Sequence, residues 1–282
     1  MKSNKVIISV ALTGGGTSKK ANPAVPITPE EIAKDVVLCA KAGAAIAHIH
    51  VRDEKGFPTM NPDIFEEVVV AVKKAVKEAG IDVIINLTTS GGPATDEERL
   101  LHLKRLQPEM CSYDVGTFNW GNAFIFENTP HLLEILGECT QEYNIKPEIE
   151  IFDGGMIGNA KHYIKKGFIK GDPHFQFVLG VSGGLEGTVE NLLFLKNKLP
   201  ENSTWSCTGI GATHIPMMYA SLALGADGIR VGLEDNIYYS KGVLATNEML
   251  VERAVRVAKD AGREIATAAD ARAILGLRED EK

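Results

Sequence analysis

Short apolar segments alternate with longer segments of helical period along the whole chain. The apolar segments are rich in Val and Ile, a composition that predicts β-strands when it fills a short run. Eight such strands are predicted, at 5–12, 44–51, 82–89, 110–115, 146–152, 174–181, 204–209 and 227–233. Helices are predicted to follow them, at 29–42, 62–79, 95–106, 130–143, 155–166, 188–199, 214–225 and 245–261.

This regular alternation of strand and helix predicts an α/β fold with a parallel sheet. A doubly wound open sheet shares the alternation, but eight strand–helix units of near-equal length favour a closed (β/α)8 barrel, the TIM barrel. The sequence contains neither a Pro/Ser-rich linker nor a shift in composition. A single domain over residues 1–282 is therefore predicted.

Polar and glycine-rich segments follow the apolar runs directly. They are TGGGTS (13–18), HIHVRD (48–53), NLTTSGG (86–92), DVGTFNWG (114–121), EIFDGG (150–155), GVSGG (180–184), GIGATH (209–214) and GLEDN (232–236). In a barrel these segments would surround the mouth at the carboxyl ends of the strands, where such folds place their functional residues.

The second of these segments contains two histidines, His48 and His50. Their i, i+2 spacing puts both side chains on one face of a strand. In a closed barrel the eighth strand is next to the first, so Glu234 from the last strand end can approach both histidines. A His₂Glu set suits Zn²⁺ and leaves positions open for substrate, and Mn²⁺ or Fe²⁺ would also accept it. The alternative is a pair of hydrogen-bonded histidines in a polar barrel end, followed by an ion pair between Arg52 and Asp53.

A second candidate group closes the last strand. Arg230 precedes Glu234 by four residues, so the two share a face, and Arg230 could also reach Asp235 near the strand end. A neighbouring cation lowers the pKa of an aspartate, which makes Asp235 a weak base except towards an acidic C–H. A structural Arg–Asp pair is the alternative.

Further polar groups lie at other strand ends. Thr88, Thr89 and Ser90 offer hydroxyls, and the nearby glycines allow a ligand to approach the backbone closely. The glycines of GVSGG and GIG could present backbone amides to a phosphate or a thioester oxygen. Tight turns are the alternative for each of these glycines.

Composition excludes several classes of function. The net charge of −7 and the scattered basic residues argue against a nucleic-acid surface. The apolar run at the N-terminus is short and contains Ser9, so it indicates a strand rather than a signal peptide, and no run is long enough to span a membrane. Widely spaced cysteines without a CxxC pair indicate free thiols in a reducing, cytoplasmic environment, and they are Cys39, Cys111, Cys139 and Cys207.

The chain resembles the β-keto acid cleavage enzyme family. The resemblance runs through essentially the whole chain and is carried by ITPEEIAKDVVLCAKAGAAIAHIHVRDEKG, NLTTSGG, FVLGVSGG, GIGATHIPM and IRVGLEDNIYYSKG. It implies a (β/α)8 barrel, a homotetramer and a bound Zn²⁺. The implied metal ligands are His48, His50 and Glu234, with Asp235 as catalytic base and Arg230 as the residue that orients it.

The same resemblance implies a substrate pocket and a reaction. The pocket would be bordered by Thr88, Thr89, Ser112, Asp114, Gly16 and Glu150. A β-keto acid and acetyl-CoA would exchange groups to give acetoacetate and a new acyl-CoA. In that route the metal holds the keto acid, Asp235 removes the C2 proton, the enolate attacks acetyl-CoA, and free CoA cleaves the product by a retro-Claisen step. Amides near Gly183 and Gly184 would hold the thioester.

Two positions depart from the family member that acts on an amino-β-keto acid. Gly16 stands where that member has a glutamate, which removes a carboxylate expected to meet the substrate's ammonium group. Asp114 stands where that member has an asparagine. Its carboxylate could bind a cationic substrate from another wall of the pocket. Neutral and cationic short β-keto acids therefore both remain open, whereas a dianion is disfavoured beside Asp114.

Two other classes of function compete with this interpretation. The first is a metal-dependent hydrolase of the amidohydrolase type, a barrel in which H-x-H belongs to the first strand and further histidines end the fifth and sixth. Here H-x-H belongs to the second strand, His174 opens the sixth, and His214 starts a helix. The second is a non-catalytic barrel that binds a metal or an acyl-CoA, which would have no need of Arg230 and Asp235.

Overall fold

The structure is a computed structural model that describes residues 3–90 and 93–277. Its strands are β1 (Lys5–Ala11), β2 (Ile46–Ile49), β3 (Ile84–Leu87), β4 (Met110–Asp114), β5 (Phe118–Trp120), β6 (Phe124–Phe126), β7 (Lys146–Ile151), β8 (His174–Leu179), β9 (Thr204–Gly209), β10 (Gly228–Val231), β11 (Tyr238–Ser240), β12 (Val243–Leu244) and β13 (Glu264–Ile265). Its α-helices are α1 (Pro29–Ala42), α2 (Pro62–Ala79), α3 (Leu101–Leu106), α4 (Pro130–Glu142), α5 (Gly154–Lys166), α6 (Val189–Lys196), α7 (His214–Ala223), α8 (Asn247–Asp260) and α9 (Ala268–Leu275).

Eight parallel strands form a closed barrel in the order β1-β2-β3-β4-β7-β8-β9-β10, and β10 pairs with β1 to complete it. A helix follows each barrel strand, as the alternating pattern predicts. The (β/α)8 prediction is therefore confirmed. Since β1 lies between β2 and β10, residues from the second and last barrel strands meet across a single strand.

Local sequence explains where the helices begin. The α1 helix starts with a capping box, in which Glu31 N donates to Thr28 Oγ1 and Thr28 N donates to Glu31 Oε2. The following Pro29 has no N–H to lose at the first helical position. At its other end α2 stops at Gly80, whose φ of +64° is the left-handed conformation that glycine adopts without strain.

The structure differs from the predicted elements in detail. Seven of the eight barrel strands are shorter than the predicted strands, because terminal residues of those runs leave the ladder to enter the loops, whereas β9 has the predicted bounds of 204–209. The hairpins β5–β6 and β11–β12, the short β13, and α9 have no counterpart among the predicted elements. The hairpins are made of three-residue and two-residue strands, too short for periodicity to mark them.

The barrel interior changes from apolar to polar along its axis. At the amino end Ile7, Ile46, Ile84 and Met110 form an apolar cluster, which α9 covers with side chains such as Leu275. Towards the carboxyl end the buried side chains are polar or charged, and they include His48, Asn86, Ser112, Glu148, Glu150, Gln176, Ser206 and Arg230. The apolar layer closes one end, so solvent and ligands enter from the carboxyl end.

Two expectations from composition can be compared with the structure. All four cysteines are free and buried. Among the helices of the described residues, none has the length and apolar character needed to cross a membrane.

Candidate active site

The carboxyl end of β2 brings two imidazoles to the barrel mouth. His48 lies within β2 and His50 follows it directly, and both side chains are buried. Glu234 arrives from the loop after β10, with its backbone N–H bonded to Ala11 O on β1. Its Oε1 lies 3.4 Å from His50 Nε2 and its Oε2 lies 3.9 Å from His48 Nε2. The structure therefore brings together the three side chains predicted from separate parts of the sequence.

This group has the donor chemistry of a divalent metal site. One ligand atom from each of His48, His50 and Glu234 lies within 4.8 Å of the other two. Glu234 Oε2 and His48 Nδ1 are buried and have no hydrogen-bond partner among the described residues. An unpaired buried carboxylate oxygen is costly, and a cation between these three side chains would satisfy it.

The protonation states suit a metal ligand set. Burial lowers the pKa of His48 to about 4, despite the opposing charge of Glu234, so its imidazole is neutral and offers a lone pair. Burial alone would raise the pKa of Glu234, but the nearby His50 and Arg230 hold it well below its usual range. A carboxylate and neutral imidazole are the forms that coordinate metals.

Arg230 lies between three carboxylates. Its Nη2 donates to Glu234 Oε1 at 2.7 Å, its Nη1 donates to Glu150 Oε1 at 3.1 Å, and its Nε donates to Asp235 Oδ2 at 3.0 Å. Thr208 Oγ1 donates to the same oxygen of Asp235 at 3.1 Å. Burial opposes the charge on the guanidinium, but Asp235, Glu234 and Glu150 raise its pKa well above the usual value. Arg230 therefore fixes the geometry of Asp235 and of Glu234 together.

The charge balance at Asp235 differs from the sequence-based expectation. The sequence predicts that the neighbouring arginine lowers its pKa. Burial instead raises the pKa of Asp235, and the nearby Glu234 carboxylate adds to the effect, so that the attraction of Arg230 is outweighed. A raised pKa makes this carboxylate a stronger base than its ion pair alone predicts.

The hydroxyls predicted at the third and fourth strand ends form one cluster. Thr89 N donates to Ser112 Oγ at 3.0 Å, and Thr89 Oγ1 donates to Ser112 O at 3.1 Å. Ser90 N donates to Thr88 Oγ1, and Ser90 Oγ donates to Asp114 Oδ2, both at 3.0 Å. The other oxygen of Asp114, Oδ1, is buried without a hydrogen-bond partner in the described part of the chain. The glycines 91–92, predicted to allow close approach of a ligand here, lie outside the described residues.

Two carboxylates of the predicted pocket have raised pKa values. Burial raises the pKa of Asp114 against the charge of Arg99, and it raises that of Glu150 well above its usual value against the charge of Arg230. Glu150 and Asp114 are Cα partners on β7 and β4. The predicted pocket residues on these two strands are therefore adjacent.

The glycines predicted to border the pocket or to hold the thioester differ in the space around them. Gly16 is exposed, and a Cβ built on it would meet nothing within 4 Å, so space remains where the amino-substrate family member has its glutamate. The Gly184 amide, in contrast, donates to Val181 O at 3.0 Å. A Cβ on Gly183 would lie 1.7 Å from Asn119 O. The tight-turn alternative therefore describes Gly184, whose amide is already bonded.

Some residues of the site were not singled out from the sequence. Thr208 is a polar residue at the carboxyl end of β9, a position that the barrel rule marks, whereas Arg99 comes from the 3₁₀ turn before α3 and had no such signal. Arg52 was expected to pair with Asp53. The two form no ion pair with each other in the described chain: Arg52 bonds backbone carbonyls, and Asp53 Oδ1 accepts from Lys55 N and Phe57 N.

One protein-family model and two known enzymes match this chain over most of its length. The family model described as beta-keto acid cleavage enzyme matches residues 5–277. The 3-keto-5-aminohexanoate cleavage enzyme of Fusobacterium nucleatum is 43% identical over 97% of this chain and 98% of its own. The 3-dehydrocarnitine:acetyl-CoA trimethylamine transferase of Rhizobium meliloti is 35% identical over 93% of each chain.

The fold also matches solved structures. The apo structure of ObcA superposes with a TM-score of 0.80 at 24% identity, over 90% of this chain and 66% of that longer chain. At this identity the match supports the barrel fold alone. The two sequence relatives and the family model each cover nearly the whole chain. The chain therefore belongs to the beta-keto acid cleavage enzyme family.

Proposed function

We propose that the protein is a zinc-dependent enzyme that converts a β-keto acid and acetyl-CoA into acetoacetate and a new acyl-CoA. The observation that carries the proposal is the convergence of His48, His50 and Glu234 beside Asp235, with Arg230 bonded to both carboxylates. The names of the relatives, a β-keto acid cleavage enzyme and an acetyl-CoA transferase, support the choice of substrates.

The metal would be held by His48 Nε2, His50 Nε2 and the Glu234 carboxylate. Two imidazoles and one carboxylate are a ligand set of catalytic zinc, with further positions left for substrate. When bound, zinc supplies positive charge for the keto oxygen and carboxylate of the substrate. Mn²⁺ or Fe²⁺ are alternatives with the same ligand types.

Asp235 would act as the base that accepts the C2 proton of the β-keto acid. Its raised pKa favours this transfer, and the hydrogen bonds from Arg230 and Thr208 hold the carboxylate in place. The C2 carbanion then attacks the carbonyl carbon of acetyl-CoA, and the CoA thiolate leaves. The thiolate next attacks the original keto carbon, the C2–C3 bond breaks, and acetoacetate takes the returned proton while the acyl-CoA departs.

The acyl group of the substrate would be selected beside Asp114 and Gly16. Asp114 presents a buried oxygen without a partner in the described chain, and the space above Gly16 is open. A neutral or cationic short chain fits this charge, and a second carboxylate on the substrate would be repelled. Family resemblance further supports a homotetramer, and the free, buried cysteines are compatible with the cytoplasm.

A mass-spectrometric screen tests the reaction. Zinc-replete protein is incubated with acetyl-CoA and a panel of neutral, cationic and anionic β-keto acids. The expected result is acetoacetate together with one new acyl-CoA from a neutral or cationic substrate. A zinc-loaded protein that gives no acyl-CoA across the panel would contradict the reaction and favour the hydrolase or the binding barrel.

Removal of two metal ligands tests the metal site. The double variant His48→Ala/His50→Ala should contain no stoichiometric zinc, because Glu234 alone cannot hold the ion. Metal analysis of purified protein gives the result, and the exposed pair His131→Ala/His162→Ala is the control that should stay loaded. Equal zinc in the wild type and the first double variant would place the metal elsewhere.

A further inference from the structure

The first loop, residues 13–18, is fastened to the strand end that carries the histidines. The side chain of Arg52 crosses to it and donates from Nη2 to Gly14 O and, at 2.8 Å, to Thr17 O. Its Nη1 donates to Gly56 O at 3.1 Å. Arg52 is 7% exposed, its bond to Gly14 O is buried, and the other two are partly buried. One guanidinium thus joins two loops of the barrel mouth.

The other side of the first loop lies against the segment that carries Glu234. Gly14 has a φ of +64°, and a Cβ built on it would lie 2.5 Å from Glu234 Cγ and 2.9 Å from Glu234 Cβ. Thr17 Oγ1 donates to Leu233 O at 3.2 Å. The backbone of the first loop is therefore in direct contact with the aliphatic part of the Glu234 side chain.

We propose that Arg52 is a positioning residue of the metal site. It holds the first loop against Glu234 and so fixes that carboxylate relative to His48 and His50. The inference rests on the metal site of the proposed function and adds a residue that contacts neither metal nor substrate.

The physical basis is the flexibility of glutamate. Only one oxygen of Glu234, Oε1, is held by Arg230, and Oε2 has no hydrogen-bond partner in the described chain. The aliphatic part of the Glu234 side chain therefore needs a packing contact that restricts its rotamers, and the Gly14 backbone provides that contact. The planar fork of an arginine can bond three carbonyls at once, which a lysine ammonium on a flexible stem does less well.

The test compares Arg52→Gln with Arg263→Gln. Arg263 is a matched control, because it also donates to three backbone carbonyls, those of Asn4, Lys5 and Ala226, but at the amino end of the barrel. The zinc dissociation constant is measured by chelator competition, and the visible spectrum of the cobalt-loaded protein reports the coordination geometry. Arg52→Gln should weaken zinc binding about 10-fold to 100-fold, the range typical of residues that support metal ligands, and should alter the cobalt spectrum. Arg263→Gln should keep the affinity and spectrum of the wild type.

Two further variants keep the test decisive if Arg52→Gln folds poorly. Gly14→Ala leaves the arginine in place but displaces Glu234, so it should reproduce the weak zinc binding. Arg52→Lys should give an intermediate affinity. Equal affinities in wild type, Arg52→Gln and Gly14→Ala would overturn the inference while the metal site stands, and equal losses in Arg52→Gln and Arg263→Gln would reduce Arg52 to a general structural role. A wild type that binds no zinc would overturn the metal site itself.

Discussion

The guanidinium of Arg230 is shared by three buried carboxylates whose pKa values shift in opposite directions. It contacts Glu150, Glu234 and Asp235 in a buried setting, where each charge would otherwise be strongly destabilised. One cation cannot neutralise all three acids. Burial raises the pKa of Glu150 and that of Asp235 despite this cation, whereas the charges of His50 and Arg230 outweigh burial at Glu234 and lower its pKa. The proposed metal ligand and the proposed base are thus kept in different states within one group of side chains.

The Asp235→Asn variant tests the base at this scale. An amide keeps the size of the side chain and an oxygen for Arg230 but cannot accept the C2 proton. We expect zinc to remain bound and turnover to fall about 100-fold to 10,000-fold, the usual contribution of a general base. Turnover is followed by acyl-CoA formation, and enzyme-catalysed deuterium exchange at C2 reports the proton step separately.

Asp270→Asn is the control for this substitution. Asp270 is paired with Lys5 at 2.7 Å at the amino end of the barrel, away from the site. Its amide variant should keep full turnover. Undiminished C2 exchange in Asp235→Asn would assign the base to another residue.

At the scale of elements, the site depends on how loops are fastened to strand ends. The β5–β6 hairpin follows β4 at the mouth and carries a cluster of aromatic rings, in which Trp120 stacks on Phe124 and Phe118 stacks on Phe152. Its turn is held from the neighbouring loop, since Gly121 N donates to Ser182 O at 2.7 Å. The backbone approach at Gly183 makes this contact possible.

The substitution Gly183→Ala tests this anchoring. Both Gly183 (φ +97°) and Gly56 (φ +82°) adopt left-handed backbone, but a Cβ on Gly183 would overlap Asn119 O, whereas one on Gly56 would meet nothing within 4 Å. Gly56→Ala should cost about 1–2 kcal/mol of unfolding free energy for the backbone conformation alone. Gly183→Ala should cost about 1–3 kcal/mol more from the overlap. Urea-induced unfolding gives both values, and equal losses would show that the hairpin is not anchored at this glycine.

At the scale of the whole molecule, the barrel holds several histidines in a neutral state. Burial lowers the pKa of His102 to about 3 and that of His214 to about 4, as it does for His48. His102 donates from Nε2 to Thr88 O at 2.9 Å and stacks on Phe65 with the ring centroids 4.0 Å apart. Between about pH 4 and pH 6.5 these side chains take up protons only when the molecule unfolds.

This predicts a loss of stability in acid. Below the ordinary histidine pKa of 6.5 the unfolded chain binds protons that the folded molecule excludes, so the free energy of unfolding falls as the pH falls towards the folded value of about 3. Each such histidine contributes a slope of up to about 1.4 kcal/mol per pH unit in that window. In His102→Gln this contribution should disappear, while the exposed control His131→Gln keeps the wild-type slope. The test measures the free energy of unfolding between about pH 3 and pH 6.5. An unchanged slope in His102→Gln would mean that His102 is protonated in the folded state.

The sequence by itself determined the barrel and predicted the side chains of the proposed metal site. The alternation of strands and helices follows from local periodicity and capping, as Thr28 and Gly80 illustrate, so short windows were enough to predict it. His48 and His50 share a face because of their i, i+2 spacing, and Glu234 follows as a neighbour once the barrel closes. Roles assigned from the family resemblance, including the base and the substrate contacts, stay predictions.

Only the tertiary structure decided the charges and the supports of that site. The pKa of Asp235 depends on burial and on Arg230, Glu234 and Thr208 at once, and a sequence window contains neither the depth of a group nor the distance to Thr208 on β9. The partners of Arg52 are backbone carbonyls of the first loop and of its own loop, and the residue types of these segments do not predict such bonds. Local patterns specify elements because their causes lie within a few residues; electrostatics and loop contacts depend on long-range packing, which exists only in the folded chain.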